Sequence, residues 1–100
     1  MNDAYFDNVN NIGKLYIEYV FYEFESEPIL FTCVDEKQDL YLCLCCEIRY
    51  KQRWIIIRCN IALLKSLVKE ELDVASVFLS AANIIAIDMD INGEEKSSFI

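Results

Sequence analysis

The pattern of this 100-residue chain predicts an α+β fold. The expected architecture is an antiparallel sheet of four to five strands packed on two helices, a two-layer sandwich in the order β-β-β-β-α-α-β. Three observations predict it. Residues 15–59 hold four runs dense in aromatic and β-branched residues, separated by short polar breaks. Residues 61–78 change to helical spacing. A last alternating apolar run, residues 84–91, follows the helices. With 55% hydrophobic residues, two Gly and one Pro, the chain has the makings of a packed globule rather than a disordered tail.

Residues 1–13 are rich in Asn and Asp and read as an N-terminal arm that ends at Gly13. A single α+β domain spans 14–92, and 93–100 form a tail. LYIEYVFYEF (15–24) suits a pleated surface, and Glu25-Ser26-Glu27-Pro28 interrupts it. ILFTCV (29–34) is a second strand, Asp35 to Asp39 a polar turn, and LYLCLCCEIRY (40–50) a third strand. Lys51-Gln52 is a reversal without the Asn-Gly chemistry that such turns favour. RWIIIRC (53–59) is the fourth strand of a meander. Asn60 suits a helix N-cap, with Ile61, Leu64, Leu67 and Val68 on one stripe. Asp73 opens a second short helix, with Val74, Val77 and Phe78 on its apolar face. In the last strand Ile85, Ile87, Met89 and Ile91 share one face and Asp88 and Asp90 the other; this strand is expected to return beside the first.

The net charge is −8, and it is unevenly spread. Residues 1–47 hold ten acids against two bases, whereas residues 48–72 hold six bases (Arg49, Lys51, Arg53, Arg58, Lys65, Lys69) against two acids. The overall balance disfavours direct binding to nucleic acid and permits binding to a basic protein surface. No run reaches the ~20 apolar residues of a membrane span. The opening MNDAYFDNVNN lacks the basic and apolar regions of a secretory leader, so a cytoplasmic protein with reduced thiols is expected.

The chain has no histidine, which removes the commonest general base and metal ligand. No glycine-rich phosphate loop or nucleophile pair stands in its place, and a non-enzyme without cofactor or metal is expected. The five cysteines include the spacing C-x-C-C at Cys43, Cys45 and Cys46, which suits neither a zinc knuckle nor a C-x-x-C redox pair. Alternation puts Leu40, Leu42, Leu44 and Cys46 on one face of the third strand, with Tyr41, Cys43 and Cys45 on the other. Pairing Val34 with Leu40 adds Cys33 to the second group. Cys59 falls opposite Leu44 if the next loop has two residues and opposite Cys43 if it has three.

Glu23, Glu25 and Glu27 alternate with Phe24 and Ser26, and in extended chain they form a line of negative charge. Asp35, Glu36 and Asp39 add a second acidic group beyond the next strand. These six are the candidate partner-binding residues. Tyr16, Tyr19, Tyr22, Tyr41, Tyr50 and Trp54 offer the amphipathic surface that interfaces favour.

The blocks GKLYIEYVFYEFESEPILFTCVDEKQDLYLCLC and LLKSLVKEELDVASVFLSAANIIAIDMD resemble a family of small bacterial domains of unknown function. That pattern has a Gly-Lys-Leu-Tyr strand start, a Leu-Phe-x-Cys strand, a Leu-Tyr-Leu strand and a short DVAxxF helix. The resemblance covers about residues 13–91; it implies a fold and carries no catalytic residue. By type, a small acidic single-domain chain is also similar to phage inhibitors of bacterial immunity, the anti-CRISPR proteins. That likeness implies a nucleic-acid mimic that occupies a basic, nucleic-acid-binding groove on a larger protein. The basic 48–72 segment departs from a uniformly acidic mimic. The alternative is an immunity-type or structural interaction module that pairs through its sheet or aromatic face, including as a homodimer.

Overall fold

The computed structural model describes residues 3–47, 52–70, 73–79, 81, 83–89 and 94–99. Ile48 to Lys51, Asp90, Ile91 and the Asn92-Gly93 turn lie outside the described residues. Seven strands run in chain order across one antiparallel sheet: β1 (Phe6–Val9), β2 (Gly13–Phe24), β3 (Glu27–Val34), β4 (Leu40–Glu47), β5 (Gln52–Arg58), β6 (Ile84–Met89) and β7 (Glu95–Phe99). Helices α1 (Ile61–Val68) and α2 (Val74–Leu79) lie between β5 and β6. The sheet curls until it is nearly a barrel, and β1 comes into contact with β7.

This corrects the expected four- to five-stranded sheet packed on two helices. β1 and β7 extend the sheet at its two ends, and curling gives it an interior of its own. The strand after the helices does not return to the first; β6 pairs with β5 and β7.

The curl divides the apolar side chains between two cores. Phe6, Val9, Leu15, Phe31, Cys33, Cys43, Trp54, Ile56 and Ile87 fill the inside. Phe6 lies edge-on to Trp54 at 5.1 Å between centroids, and Tyr5 stands edge-on to Phe6 at 4.9 Å. Such offset contacts favour aromatic packing beyond the area that they bury. Outside the curl, Leu30, Leu42 and Ile57 of the sheet meet Val77 and Phe78 of α2, with the half-buried Leu63, Leu64 and Leu67 of α1 against them. Strand alternation produces both sets: the leucines of β4 point to the helices, and Tyr41, Cys43 and Cys45 point inward.

The helices start where the sequence places them. The Asn60 side chain accepts a hydrogen bond from Leu63 N at 2.8 Å, and Asp73 Oδ1 accepts one from Ser76 N at 2.8 Å. Each satisfies an amide that the first helical turn leaves unpaired. The stripe of α1 is rotated from expectation. Leu63, Leu64 and Leu67 pack on the outer core, whereas Ile61 and Val68 are exposed. α1 has no fully buried side chain, so it rests lightly on the sheet.

The β1/β7 seam closes in an unusual way. The carboxylate of Glu95 accepts from Asp7 N (2.8 and 3.1 Å) and Asn8 N (3.3 Å), and Ser97 Oγ accepts from Asn10 N at 2.7 Å. Side chains of β7 thus take the place of strand carbonyls along the edge of β1. Amides that would otherwise invite a foreign strand are occupied.

Candidate functional site: a hairpin tip and an aromatic groove

β2 is twelve residues long, and its far end forms a tight hairpin with β3. Phe24 pairs with Glu27, leaving Glu25 and Ser26 as a two-residue turn. Both take positive φ, 50° and 68°. Turns of this hand suit the twist of a hairpin and favour Asn-Gly, so a Glu-Ser pair there holds backbone strain of roughly 1 kcal/mol per residue. Glu23, Glu25 and Glu27 are all exposed. They do not form the expected single row. Glu23 pairs with Pro28 and Glu27 with Phe24, so Glu23 and Glu27 lie on opposite faces with Glu25 in the turn between them. Glu27 stands on the inner side, where its charge bears on Tyr5 and Cys45. Burial and then Glu27 push the Tyr5 phenol up to about 12.

The second acidic group has work inside the fold. Asp35 is buried, and its Oδ1 accepts from Lys37 N and Asp39 N, both at 2.9 Å. The Tyr41 hydroxyl donates to Asp35 Oδ2 at 3.3 Å, and burial together with this carboxylate raises the Tyr41 phenol. Asp39 pairs with Arg58 at 2.9 Å, and Glu36 is exposed. This turn and the β2–β3 tip lie at opposite ends of β3, roughly 23 Å apart at the rise of an extended strand. The six candidate acids are therefore two separate groups.

Of the six aromatic candidates, Tyr41 and Trp54 are core residues, Tyr16 is half-buried, and Tyr50 lies outside the described residues. Tyr19 and Tyr22 are surface residues, 59% and 67% exposed, and Phe24 is 55% exposed. Irregular pairing between Ile17 and Tyr19 and again between Val20 and Tyr22 shifts the alternation of β2. Tyr19, Phe21 and Tyr22 consequently reach one open groove of about 470 Å³ on the outer side of the sheet. Leu67 and Val68 of α1 and Val74 of α2 form its other wall, with Glu70 and Asp73 at the edge. Tyr19 and Phe21 meet edge-on at 4.9 Å. The groove had one sequence signal, the density of tyrosine in β2; bulges and helix placement supply the rest.

The thiols are mostly packing groups. Cys33 and Cys43 are fully buried, and burial, with the Cys33 thiol adding to it, raises the Cys43 thiol well above its ordinary range. Cys45 lies half-buried beside them. Cys59 falls opposite neither Leu44 nor Cys43. Its N–H donates to Leu40 O at 2.9 Å and it joins the outer core, because β4 and β5 pair as Leu44 with Ile55 and Tyr41 with Arg58. The fourth thiol is thus on the leucine side. Among the described residues no group of three His, Cys, Asp or Glu side chains is placed to hold a metal ion. Asp88 pairs with Arg53 at 3.1 Å. Two of the bases in the 48–72 segment, Arg53 and Arg58, are therefore engaged with acids, Asp88 of β6 and Asp39 of the β3–β4 turn. Among the described residues no helix is long and apolar enough to cross a membrane.

No protein-family model, curated protein or solved structure matches the chain.

Proposed function

We propose that this chain is a non-enzymatic binding protein that inserts its acidic, aromatic β2–β3 hairpin tip into a basic site on a larger protein. One observation carries the reading: exposed Tyr22 and Phe24 alternate with Glu23 and Glu25 at the tip of a long hairpin. Large aromatic side chains dominate binding energy where they are buried by a partner. Carboxylates around them speed encounter with a basic surface and set its orientation. The net charge of −8 adds long-range attraction of the same sign. A groove built for nucleic-acid phosphates is a concavity of matching charge. The specific form of the reading is an inhibitor of a nucleic-acid-handling bacterial defence effector.

A panel of purified RNA-guided nucleases, assayed for target binding and cleavage with added chain, tests it. Wild type is expected to displace nucleic acid, with inhibition that weakens as salt rises. The Glu23→Lys, Glu25→Lys, Glu27→Lys triple variant is expected to fold and to lose the effect. Equal inhibition by that variant would exclude the tip, and no inhibition across the panel would exclude the defence-effector form.

A further inference from the structure

The groove beside the tip is built differently from the tip. One wall is aromatic (Tyr19, Phe21 and Tyr22) and the other aliphatic, from the end of α1 and the start of α2. The apolar lining is itself open to solvent: Tyr19, Tyr22 and Val68, the last 61% exposed, are large side chains left uncovered. Exposed apolar surface of this kind, gathered at one concavity, marks an interaction site. Among the described residues the charged side chains lining it are both carboxylates, Glu70 and Asp73. The C-terminal turn of α1 ends at the same place, and its last carbonyls add partial negative charge. The Asp73 carboxylate already caps α2 through Ser76 N and Ser76 Oγ, at 2.8 and 2.9 Å, so Glu70 and the helix end supply most of what a ligand would meet.

Two features decide the occupant. The negative edge selects a cation, and tyrosine faces attract cations as well. Tyr22 belongs both to the groove and to the hairpin tip, so the two surfaces are continuous on β2. A ligand that spans them is a chain segment.

We infer that the groove receives a bulky apolar side chain flanked by Lys or Arg, carried on a short segment of the same partner that the hairpin tip engages. This deepens the binding-protein reading and rests on it. The tip supplies charge, and the groove supplies the apolar anchor that gives the complex its lifetime.

The test uses the full chain, isotope-labelled, with a Leu/Lys peptide of about twelve residues as probe, a length that covers a standard groove contact. A Ser/Lys peptide keeps the charge without the apolar groups, and a Leu/Glu peptide keeps the apolar groups with the charge reversed. The Leu/Lys peptide is expected to shift the amides of Tyr19 to Tyr22 and of Leu67 to Glu70. Combining Tyr19→Ser with Val68→Ser, both at exposed positions, is expected to weaken it about ten-fold, as is Glu70→Lys. Unchanged circular dichroism would confirm that these variants fold. Equal binding of either control peptide overturns the inference, as does the absence of binding by the Leu/Lys peptide. Shifts confined to Glu23–Glu27 overturn it while leaving the tip reading in place. The tip reading fails separately, when the triple Lys variant inhibits as well as wild type. Concentration-dependent sedimentation abolished by Tyr19→Ser would identify a second copy as the occupant and would also overturn it.

Discussion

Asp35 and Glu36 are neighbours of identical charge with opposite duties. Asp35 accepts two backbone amides and the Tyr41 hydroxyl inside the turn that joins β3 to β4, whereas Glu36 is exposed to solvent. Composition cannot separate them, because a turn aspartate and a surface glutamate both read as acidic loop residues. The difference comes from which carboxylate reaches the amides two and four residues on. Asp35→Ala leaves two amides and a buried hydroxyl without their acceptor and is expected to cost about 1–3 kcal/mol. Glu36→Ala is expected to stay within about 0.5 kcal/mol of wild type, as surface changes usually do. Urea denaturation of the two variants checks this; equal losses would show that the turn network contributes nothing. Thiol placement was more legible than the roles of these acids. Pairing Val34 with Leu40 puts Cys33, Cys43 and Cys45 on one face, and the structure has that pairing. Cys59 was not legible, because its register depends on a loop and on an irregular pairing between Cys45 and Glu47.

At the scale of elements, the five central strands, β2 to β6, and both helix starts follow from local pattern, and the two end strands do not. β1 reads Phe-Asp-Asn-Val, with two poor strand formers in the middle. Phe6 and Val9 both point into the core although they are three residues apart, because the pairing with β2 shifts between them. A period of two cannot reveal such a strand. β7 reads Glu-Lys-Ser-Ser-Phe, with four polar residues before its one apolar residue, so it shows no alternation of apolar and polar residues. Its place is set by its ladder to β6 and by Glu95 and Ser97 reaching the amides of β1. Glu95→Ala removes the acceptor for Asp7 N and Asn8 N. Faster hydrogen exchange at those two amides and a loss of about 1–2 kcal/mol are expected. Unchanged protection of both amides would mean that packing alone closes the seam. The lightly seated helix α1 leaves an apolar edge exposed at Ile61 and Val68, and Val68 on that edge lines the groove.

For the whole molecule, the raised acids set the response to alkali. Burial raises the thiols of Cys43, Cys45, Cys46 and Cys59, and burial with the Glu27 charge puts Tyr5 at about 12. Each group holds its proton more tightly folded than unfolded. Its contribution is therefore complete below the unfolded pKa, near 8.5 for thiols and 10 for tyrosine, and is lost as pH rises toward the folded value. The melting temperature is expected to fall steadily from about pH 9 upward. Tyr5→Phe is expected to flatten that fall above about pH 10, the unfolded pKa of tyrosine. A profile for wild type that stays level to pH 11, about one unit beyond that value, would contradict the burial assigned to these groups.

By itself, the sequence determined the meander from β2 to β5, the two capped helices, the inward and outward faces of β4, and a strongly acidic surface. All of these are local, set by alternation, helical spacing, capping side chains and charge count. Tertiary structure decided that the sheet curls rather than lying flat, that end strands without an alternating pattern join it, that the six acids divide between two ends of β3, and that β2 and α1 enclose a groove. Each of these depends on bulges and on contacts between residues far apart in the chain. Such contacts are chosen by burial of the whole apolar set, which no short window of sequence contains.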